Sequence, residues 1–269
     1  MVTGSKQDRN FDDLADRFEQ KIYNTVKGDW RLTLLQQDLA FLHQQSLLNI
    51  WDAGCGQAQI SQWFAEQGHA LTLCDLSGKM LQRAQNNFAA AGLSARFYHQ
   101  SAQSLASELP EFDLVLCHAV LEWLAQPLPS LFTIADKVRP GGYLSLLFYN
   151  RNAMVYSNVL KGGWRLKPIL DDSYIGQGNK LTPPNPQFPH EVIAAMTARH
   201  FSVKTHTGVR VFNDYLSTEA KQNSDEQELF ALEKRYCRMP TYRDMGRYVH
   251  VLFQREETAK PGDTTLKEY

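Results

Sequence analysis

Short apolar runs alternate with amphipathic stretches between about residues 47 and 150. The amphipathic stretches, near residues 60–67, 79–91 and 128–137, repeat apolar positions at helical spacing. The strand-like apolar runs between them lie at 47–51, 70–74, 96–99, 112–118 and 143–149. This regular order of strand and helix predicts an α/β fold of the Rossmann-like type, with a parallel sheet and helices on both faces.

The pattern changes on either side of this region. Apolar spacing over residues 11–43 predicts two helices, packed over the mouth of the sheet where they could enclose a ligand. After Asn150, a stretch rich in Gly, Asn and Pro predicts an irregular insertion that serves as a substrate lid. We then expect a helix at 190–198, a strand at 201–206, a long helix at 219–236 and a last strand at 247–253. The sheet would thus have seven strands, mostly parallel.

A glycine turn after the first apolar run is the most informative local feature. Gly54 and Gly56 follow that run, and Asp75 ends the next one. A glycine turn, a helix N-terminus and a carboxylate about 20 residues on typically hold a nucleoside cofactor. A dinucleotide site needs a third glycine where this chain has Gln59. The pattern therefore favours S-adenosylmethionine, which carries no phosphate.

These features divide the chain into five segments. They are an N-terminal helical cap (1–45), an S-adenosylmethionine-binding core (46–150), the insertion (151–188), the C-terminal part of the sheet (189–255) and a flexible tail (256–269). The polar tail is expected to be mobile.

Composition removes several classes of function. The 269 residues have a formal net charge of −1, so no global positive field indicates a nucleic-acid partner. No apolar run is long enough to cross a bilayer and the N-terminus lacks a secretory signal, so we expect a cytoplasmic protein without a membrane partner. The four cysteines show no metal-ligand or disulfide spacing, which predicts reduced apolar side chains and no metal.

Four segments together resemble the class I S-adenosylmethionine-dependent methyltransferases. They are the glycine loop, the acid at Asp75, residues 118–123 and the turn at 139–142. This resemblance covers residues 47–150 and implies the fold and the cofactor, but not the methyl acceptor.

A closer resemblance extends over almost the whole chain, to the tRNA 5-carboxymethoxyuridine methyltransferase family. The segments that carry it are 7–13, 120–123, 146–150, 208–216, 235–238 and 246–251. It implies that the carboxylate of 5-carboxymethoxyuridine, at the wobble position of the tRNA anticodon, is converted to a methyl ester. The chain departs from the family at Cys55, where some members have glycine, and over residues 155–180.

Candidate cofactor residues follow partly from the pattern and partly from the resemblance. The pattern selects Gly54 and Cys55 for the methionyl part and Asp75 for the ribose, against structural roles as a turn and a helix cap. His118 ends the fourth strand, where ligands of open sheets bind, although a packed histidine is equally common there. By the resemblance alone, Ala102 and Gln103 lie beside the adenine and Arg31 binds the cofactor carboxylate; the alternatives are a helix start after Ser101 and a solvated charge.

The acceptor sets different requirements. A carboxylate is already ionised at pH 7, so methyl transfer needs positioning and no general base. No residue is assigned as catalytic with certainty. Candidates to orient the acceptor are Tyr149, Asn150 and Arg210, each of which could instead be structural. With the resemblance, basic and aromatic residues are expected to contact the tRNA anticodon stem-loop: Lys161, Trp164, Arg165, Lys167, Arg235, Tyr236, Arg238, Tyr242, Arg243, Arg247 and Tyr248.

Two other functions remain open at this point. One is a methyltransferase for a small-molecule carboxylate or hydroxyl; the hydroxyl version would need a general base, for which His118 is the candidate. The other is a non-catalytic protein that binds the cofactor without turnover.

Overall fold

The computed structural model describes residues 7–16, 25–173 and 182–257, which include a seven-stranded sheet. The strands are β1 (Asn49–Ala53), β2 (Ala70–Asp75), β3 (Arg96–His99), β4 (Phe112–His118), β5 (Val138–Tyr149), β6 (Phe201–Val209) and β7 (Tyr248–Arg255). Their order across the sheet is β3-β2-β1-β4-β5-β7-β6, and β7 runs antiparallel to both neighbours. The predicted α/β class, with seven mostly parallel strands, is confirmed.

Side-chain caps and proline fix where several helices begin. Ser77, Ser101 and Asn150 each accept a hydrogen bond from a backbone N–H in the first turn that follows. The helices are α1 (Val26–His43), α2 (Gln59–Glu66), α3 (Gly78–Ala90), α4 (Ala102–Ala106), α5 (Pro127–Ala135), α6 (Arg151–Lys161), α7 (Leu166–Leu170), α8 (Pro189–Thr197), α9 (Thr218–Gln222) and α10 (Glu226–Tyr236). Short 3₁₀ turns span Leu121–Trp123, Gly163–Arg165 and Arg243–Met245.

The apolar core forms two layers because successive strand residues face opposite sides of the sheet. On β1, Trp51 packs into the layer formed with α4, α5 and α8, whereas Ile50 packs into the layer formed with α1, α2 and α3. Both side chains are fully buried. Burial on both faces explains why the parallel strands appear in the sequence as continuous apolar runs.

The strand order reverses next to β1, and this reversal positions the site. From β1 the chain crosses to β2 and β3 on one side, whereas β4 pairs with β1 on the other side. Ligands of open α/β sheets bind in the crevice beyond the carboxyl ends of strands at such a point. The turn after β1 and the end of β4 meet there.

Three predictions about the elements were wrong. The insertion contains the helices α6 and α7 in addition to irregular chain. Helix α6 forms because Asn150 caps its start and Met154 is buried on its inner face, and it ends at Gly162, which has a φ of 59°. The long helix predicted at 219–236 is two helices, α9 and α10. The break falls where Asp225 caps α10, since Asn, Ser and Asp compete with helical hydrogen bonds. Strand β1 begins at Asn49, two residues after the predicted start at Leu47. The side chain of Leu47 lies outside the sheet and is 68% exposed.

Parts of the other predictions lie outside the described residues. The tail from residue 258 and most of the first N-terminal helix are among them, as are residues 174–181 of the insertion. The second N-terminal helix is present as α1. Among the residues that the structure does describe, no helix is both long enough and apolar enough to span a membrane.

Candidate active site

A cleft opens at the carboxyl edge of the sheet, with about 810 Å³ of empty space that is continuous with solvent. Its walls come from the turn after β1, the ends of β2 and β4, the start of α4, and the N-terminal segment. All seven predicted cofactor residues line it: Arg31, Gly54, Cys55, Asp75, Ala102, Gln103 and His118. The structure thus brings these residues together, although their individual roles stay predictions.

The glycine turn after β1 is held tightly from below. The backbone N–H groups of Gly54 and Cys55 both donate to the carbonyl of Cys74, at 3.0 and 2.9 Å. Gly54 has a φ of 99°, and a Cβ built on it would lie 2.4 Å from a methyl carbon of Val120. Only glycine fits this position, because the conformation and the space both exclude a side chain.

Asp75 supports the same turn with its carboxylate. One oxygen accepts from the backbone N–H of Gly56 and the other from that of Ser77, both at 2.8 Å. A carboxylate offers about four lone-pair positions, so each oxygen retains capacity for a ribose hydroxyl. Burial raises the pKa of Asp75, and the two N–H groups act against that shift. Ser77 caps α3, as expected, which leaves Asp75 for the ligand.

An N-terminal segment of residues 8–11, here called the strap, lies along the cleft and was not predicted from single residues. Asp8 accepts hydrogen bonds from the backbone N–H of Ala125 and the amide of Gln103, at 2.8 and 2.9 Å. The ring of Phe11 packs edge-on against Trp123, with centroids 4.8 Å apart. The family resemblance over residues 7–13 was the one indication in the sequence that this segment matters for the site. Its apolar pattern alone predicts only a helix.

Buried ionisable groups around the cleft are held mainly in their neutral forms. Burial lowers the pKa of His118 well below its usual range, so its ring is neutral at pH 7. Burial raises the pKa of Asp52 to about 7 and that of Glu122 to about 8. Neither carboxyl oxygen of the fully buried Glu122 has a hydrogen-bond partner among the described residues. Cys55 is buried and forms no disulfide bond, and burial raises the pKa of its thiol well above the usual value.

The three acceptor-orienting candidates lie at the same edge of the sheet but differ in what their side chains contact. Arg210 follows β6, donates to Asp214 at 3.0 Å and stacks on the ring of Tyr248 at 5.4 Å. Tyr149 ends β5 and lies beneath the guanidinium of Arg247, 4.8 Å from its ring centre.

Asn150 differs from the other two candidates. Its amide nitrogen donates hydrogen bonds to the carbonyls of Asp244 and Gly246, at 2.7 and 2.8 Å. Its amide oxygen caps α6 by accepting from the backbone N–H of Asn152. The side chain is also fully buried. These contacts favour a structural role for Asn150, because both donors are already used.

The donor set of the cleft fits S-adenosylmethionine. A carboxylate at one end suits ribose hydroxyls, and an arginine beside the glycine turn suits the carboxylate of the methionyl part. Arg31 occupies that second position and its Nη2 lies 3.5 Å from the Oε1 of Gln59. No group of three or more His, Cys, Asp or Glu residues that could bind a metal occurs in the described part of the chain.

Comparison with known proteins extends this picture. Residues 51–146 match the model of a methyltransferase domain family. A protein of Escherichia coli K12, named tRNA 5-carboxymethoxyuridine methyltransferase, is 40% identical over 263 residues, which is 94% of this chain and 98% of that protein. A ubiquinone biosynthesis O-methyltransferase of Aromatoleum aromaticum is 34% identical over 122 residues, covering 45% of this chain and 52% of that protein.

Solved structures match in fold alone. The magnesium protoporphyrin IX methyltransferase of Synechocystis PCC 6803, solved with bound SAH, has a TM-score of 0.57 at 18% identity, covering 91% of this chain and 96% of its own. The plantazolicin methyltransferase BamL, also solved with SAH, has a TM-score of 0.55 at 14% identity, covering 91% and 90%. At such low identity these two matches carry no information about the acceptor.

Proposed function

Because this chain belongs to the tRNA 5-carboxymethoxyuridine methyltransferase family, we propose that it methylates the carboxylate of 5-carboxymethoxyuridine at the tRNA wobble position. The methyl group comes from S-adenosylmethionine, and the product is the methyl ester. The observation that carries the proposal is the extent of the relationship. It includes the residues after Asn150, whereas the ubiquinone O-methyltransferase match covers less than half of the chain. A tRNA substrate places this activity in the cytoplasm.

The electrostatics of the cleft support a carboxylate as the acceptor. An ionised carboxylate attacks the methyl carbon without losing a proton, so the site needs no base. His118 is the histidine of the cleft wall, and its lowered pKa makes it a weak base. This property suits carboxylate methylation better than methylation of a hydroxyl, which must lose its proton during the reaction.

Two arginines are suited to orient the acceptor. Arg210 and Arg247 approach the carboxylate of Asp214, with nitrogen–oxygen distances of 3.0 and 3.9 Å. Both lie where β6 ends and β7 begins, at the edge of the sheet that holds the cleft. Two cations around one carboxylate leave a net positive charge for an incoming anion. We propose that Arg210 binds the outer oxygen of the acceptor carboxylate, since pairing with the attacking oxygen would weaken the nucleophile.

Further cations continue from this pair onto the surface. The pKa of Lys161 is lowered by partial burial and also by the positive charges of Arg247, Arg165 and Lys221, which indicates that these three cations lie around Lys161. The guanidinium of Arg165 stacks on Trp164, 4.6 Å from its ring centre, and that indole is 66% exposed. We define Lys161, Trp164, Arg165, Lys221 and Arg247 as the basic surface.

We propose that the basic surface contacts the anticodon stem-loop. Its cations would contact phosphates, and Trp164 would stack on a base. Such a local surface allows tRNA binding by a protein whose formal net charge is only −1. The wobble nucleotide must leave the base stack to bring its carboxylate to the cleft.

The deciding experiment uses tRNA from cells that lack this protein. The purified protein is incubated with that tRNA and with S-adenosylmethionine labelled in its methyl group, and the nucleosides are then identified by mass spectrometry. We expect label only in the ester of the wobble nucleoside. Label in another nucleoside, or no transfer by folded protein, would reject the proposal. Transfer to a free small-molecule carboxylate but not to tRNA would support the alternative acceptor.

A variant separates orientation of the acceptor from binding of the cofactor. Arg210→Lys keeps the positive charge but removes the planar pair of donors that can hold a carboxylate. We expect methyl transfer to fall by about tenfold or more, a loss of about 1.4 kcal/mol in the transition state, with unchanged affinity for S-adenosylmethionine. Arg96→Lys, at an exposed position at the start of β3, is the matched control; it makes the same change of side chain and should leave transfer unchanged.

A further inference from the structure

A continuous chain of buried polar side chains runs from the cleft through the sheet to α1. The Nε2 of His118 lies 2.8 Å from the Oγ of Ser145, which lies 2.9 Å from the Nε2 of His250. The Nδ1 of His250 lies 2.7 Å from one carboxylate oxygen of Asp38. The other oxygen of Asp38 accepts from Nε and Nη2 of Arg238, at 3.0 and 2.6 Å.

This row of hydrogen-bonded side chains spans four separate elements of the fold. His118 ends β4, Ser145 lies in β5, His250 in β7 and Asp38 in α1. Ser145 and His250 have no solvent exposure, and Asp38 is 6% exposed. Polar groups inside an apolar layer destabilise a protein unless they are hydrogen-bonded, and a fully connected network holds its members in one arrangement.

The direction of the hydrogen bonds is set at Asp38. Burial acts to raise the pKa of Asp38, but His250 and Arg238 outweigh burial and hold that pKa below its usual value. An ionised carboxylate only accepts hydrogen bonds, so the Nδ1 of His250 must carry a proton. When the ring of His250 carries a single proton, its Nε2 is an acceptor, to which the hydroxyl of Ser145 donates. The oxygen of Ser145 in turn accepts from His118.

This direction fixes the tautomer of His118. Its Nε2 carries the proton and donates to Ser145, so its Nδ1 keeps a lone pair. The ring is neutral at pH 7, because burial lowers its pKa. No partner for Nδ1 is seen among residues 7–16, 25–173 and 182–257, and the side chain lines the cleft close to Gly54 and Arg31.

We propose that Asp38, His250 and Ser145 are positioning residues that fix His118 as a hydrogen-bond acceptor facing the cofactor. The methionyl part of S-adenosylmethionine carries an ammonium group, which only donates hydrogen bonds, and a carboxylate, which only accepts them. An acceptor at His118 suits the ammonium, as an arginine at position 31 suits the carboxylate. The inference concerns binding of the cofactor and does not depend on the identity of the acceptor.

Asp38→Asn tests the direction of the chain. Arg238 has only donors, so the oxygen of the new amide must face Arg238 and its NH₂ must face His250. The ring of His250 then switches tautomer, Ser145 reverses, and Nδ1 of His118 becomes protonated. The same kind of control operates in serine proteases, where an aspartate fixes the tautomer of the catalytic histidine.

Two measurements read the effect of Asp38→Asn. In ¹⁵N NMR spectra of the protein without cofactor at pH 8, Nδ1 of His118 should change from an unprotonated to a protonated nitrogen. By calorimetry, affinity for S-adenosylmethionine should fall by roughly tenfold or more, because the protonated Nδ1 of His118 now faces the ammonium group of the cofactor, and both are donors. A protonated Nδ1 in the wild-type protein, or an unchanged ring in folded Asp38→Asn protein, would overturn the inference.

A second substitution should restore the original direction. In Asp38→Asn combined with Arg238→Met, the amide is no longer constrained by Arg238 and can turn its oxygen towards His250. The unprotonated Nδ1 signal and most of the cofactor affinity should return, to within about threefold of wild type. Arg238→Lys alone is the control, because it keeps a positive charge with only donors beside Asp38, and it should keep both. If the double variant binds as weakly as Asp38→Asn while folded, the inference fails.

Ser145→Ala covers the case in which Asp38→Asn does not fold. It interrupts the chain without changing any charge, so His118 should show a mixture of tautomers and a weaker cofactor affinity. Circular dichroism and the melting temperature establish that the variant is folded. A single unprotonated Nδ1 with wild-type affinity in that variant would contradict the proposal.

Discussion

The two halves of the sheet differ in what surrounds their carboxyl ends. In the half that contains β1 to β4, a glycine turn and the ends of strands surround the cleft, and Arg31, Asp75 and His118 also line it. In the half that contains β5 to β7, stacked arginine–tyrosine pairs around Asp214 form the edge of the sheet.

The relatives divide in the same way. The methyltransferase domain model matches residues 51–146 and the ubiquinone O-methyltransferase matches 45% of this chain, whereas the E. coli protein matches 94% of it. We therefore expect the glycine turn to matter most for cofactor binding and the charged side chains of the second half to matter most for the acceptor.

Gly54→Ala is expected to have the largest effect, and it tests whether backbone shape controls the first half. The new methyl group would meet Val120 at 2.4 Å in a conformation with a φ of 99°. Strain and steric overlap should together lower stability by roughly 2–5 kcal/mol and abolish measurable cofactor binding. Urea unfolding and calorimetry measure the two effects.

Gly92→Ala is the matched control for that substitution. Gly92 also has a positive φ, 67°, but a Cβ there would have nothing within 4 Å. The control should lose only about 1 kcal/mol and keep cofactor affinity. Equal losses in the two variants would show that conformation alone, and not the contact with Val120, limits the turn.

Glu122→Gln tests whether the buried side chain of Glu122, where the two halves meet, is protonated in the folded protein. Its effect on the free energy of unfolding should depend on pH. Burial raises the pKa of Glu122 from an ordinary 4.5 to about 8. Between these values the unfolded chain releases a proton that the folded protein retains, so wild-type stability falls as pH rises through this window. The glutamine variant lacks this loss and should gain on the order of 4 kcal/mol over wild type at pH 8, and about 1 kcal/mol at pH 5.

Unfolding free energies of Glu122→Gln and wild type are compared at both pH values. Glu66→Gln, at an exposed position near the end of α2, serves as the control and should change stability by less than about 0.5 kcal/mol at either pH. A difference that does not vary with pH would mean that Glu122 is ionised in the folded protein.

Trp164→Ala should have the smallest of these effects, confined to the second half. Loss of a stacked base costs about 1 kcal/mol of tRNA affinity, with no change in affinity for S-adenosylmethionine. Leu170→Ala, at a residue 84% exposed on the neighbouring α7, is the control and should bind tRNA normally. Titrations with fluorescent tRNA measure both. Equal weakening in the two variants would indicate a general apolar contact and no specific stacking.

Much of the fold could be predicted because its signals are local. The apolar runs of β2 to β4 and the caps at Ser77 and Ser101 depend on neighbouring residues, and the structure has them close to where they were predicted. Helices α6 and α7 were missed because glycine and proline dominated the composition between residues 151 and 188. The apolar face of α6 was a weaker signal than Gly162 and the prolines that follow.

The site could be predicted only where a motif reports it. The spacing of Gly54 and Asp75 and the family resemblance selected residues that line one cleft in the structure, although their roles as cofactor ligands stay predictions. The chain from His118 to Asp38 joins residues up to 212 positions apart, and no local pattern indicates such a contact. Asn150 shows a related limit, because its place at the end of β5 suggested a ligand, whereas the structure shows that its amide donates to two backbone carbonyls.

The strap has a consequence for the order of events in a catalytic cycle. Its contacts from Asp8 to Ala125 and from Phe11 to Trp123 lie along the cleft wall. Departure of the spent nucleoside after each reaction must break or bypass these contacts. We therefore expect the residence time of that by-product to depend on how often the amino-terminal segment lifts.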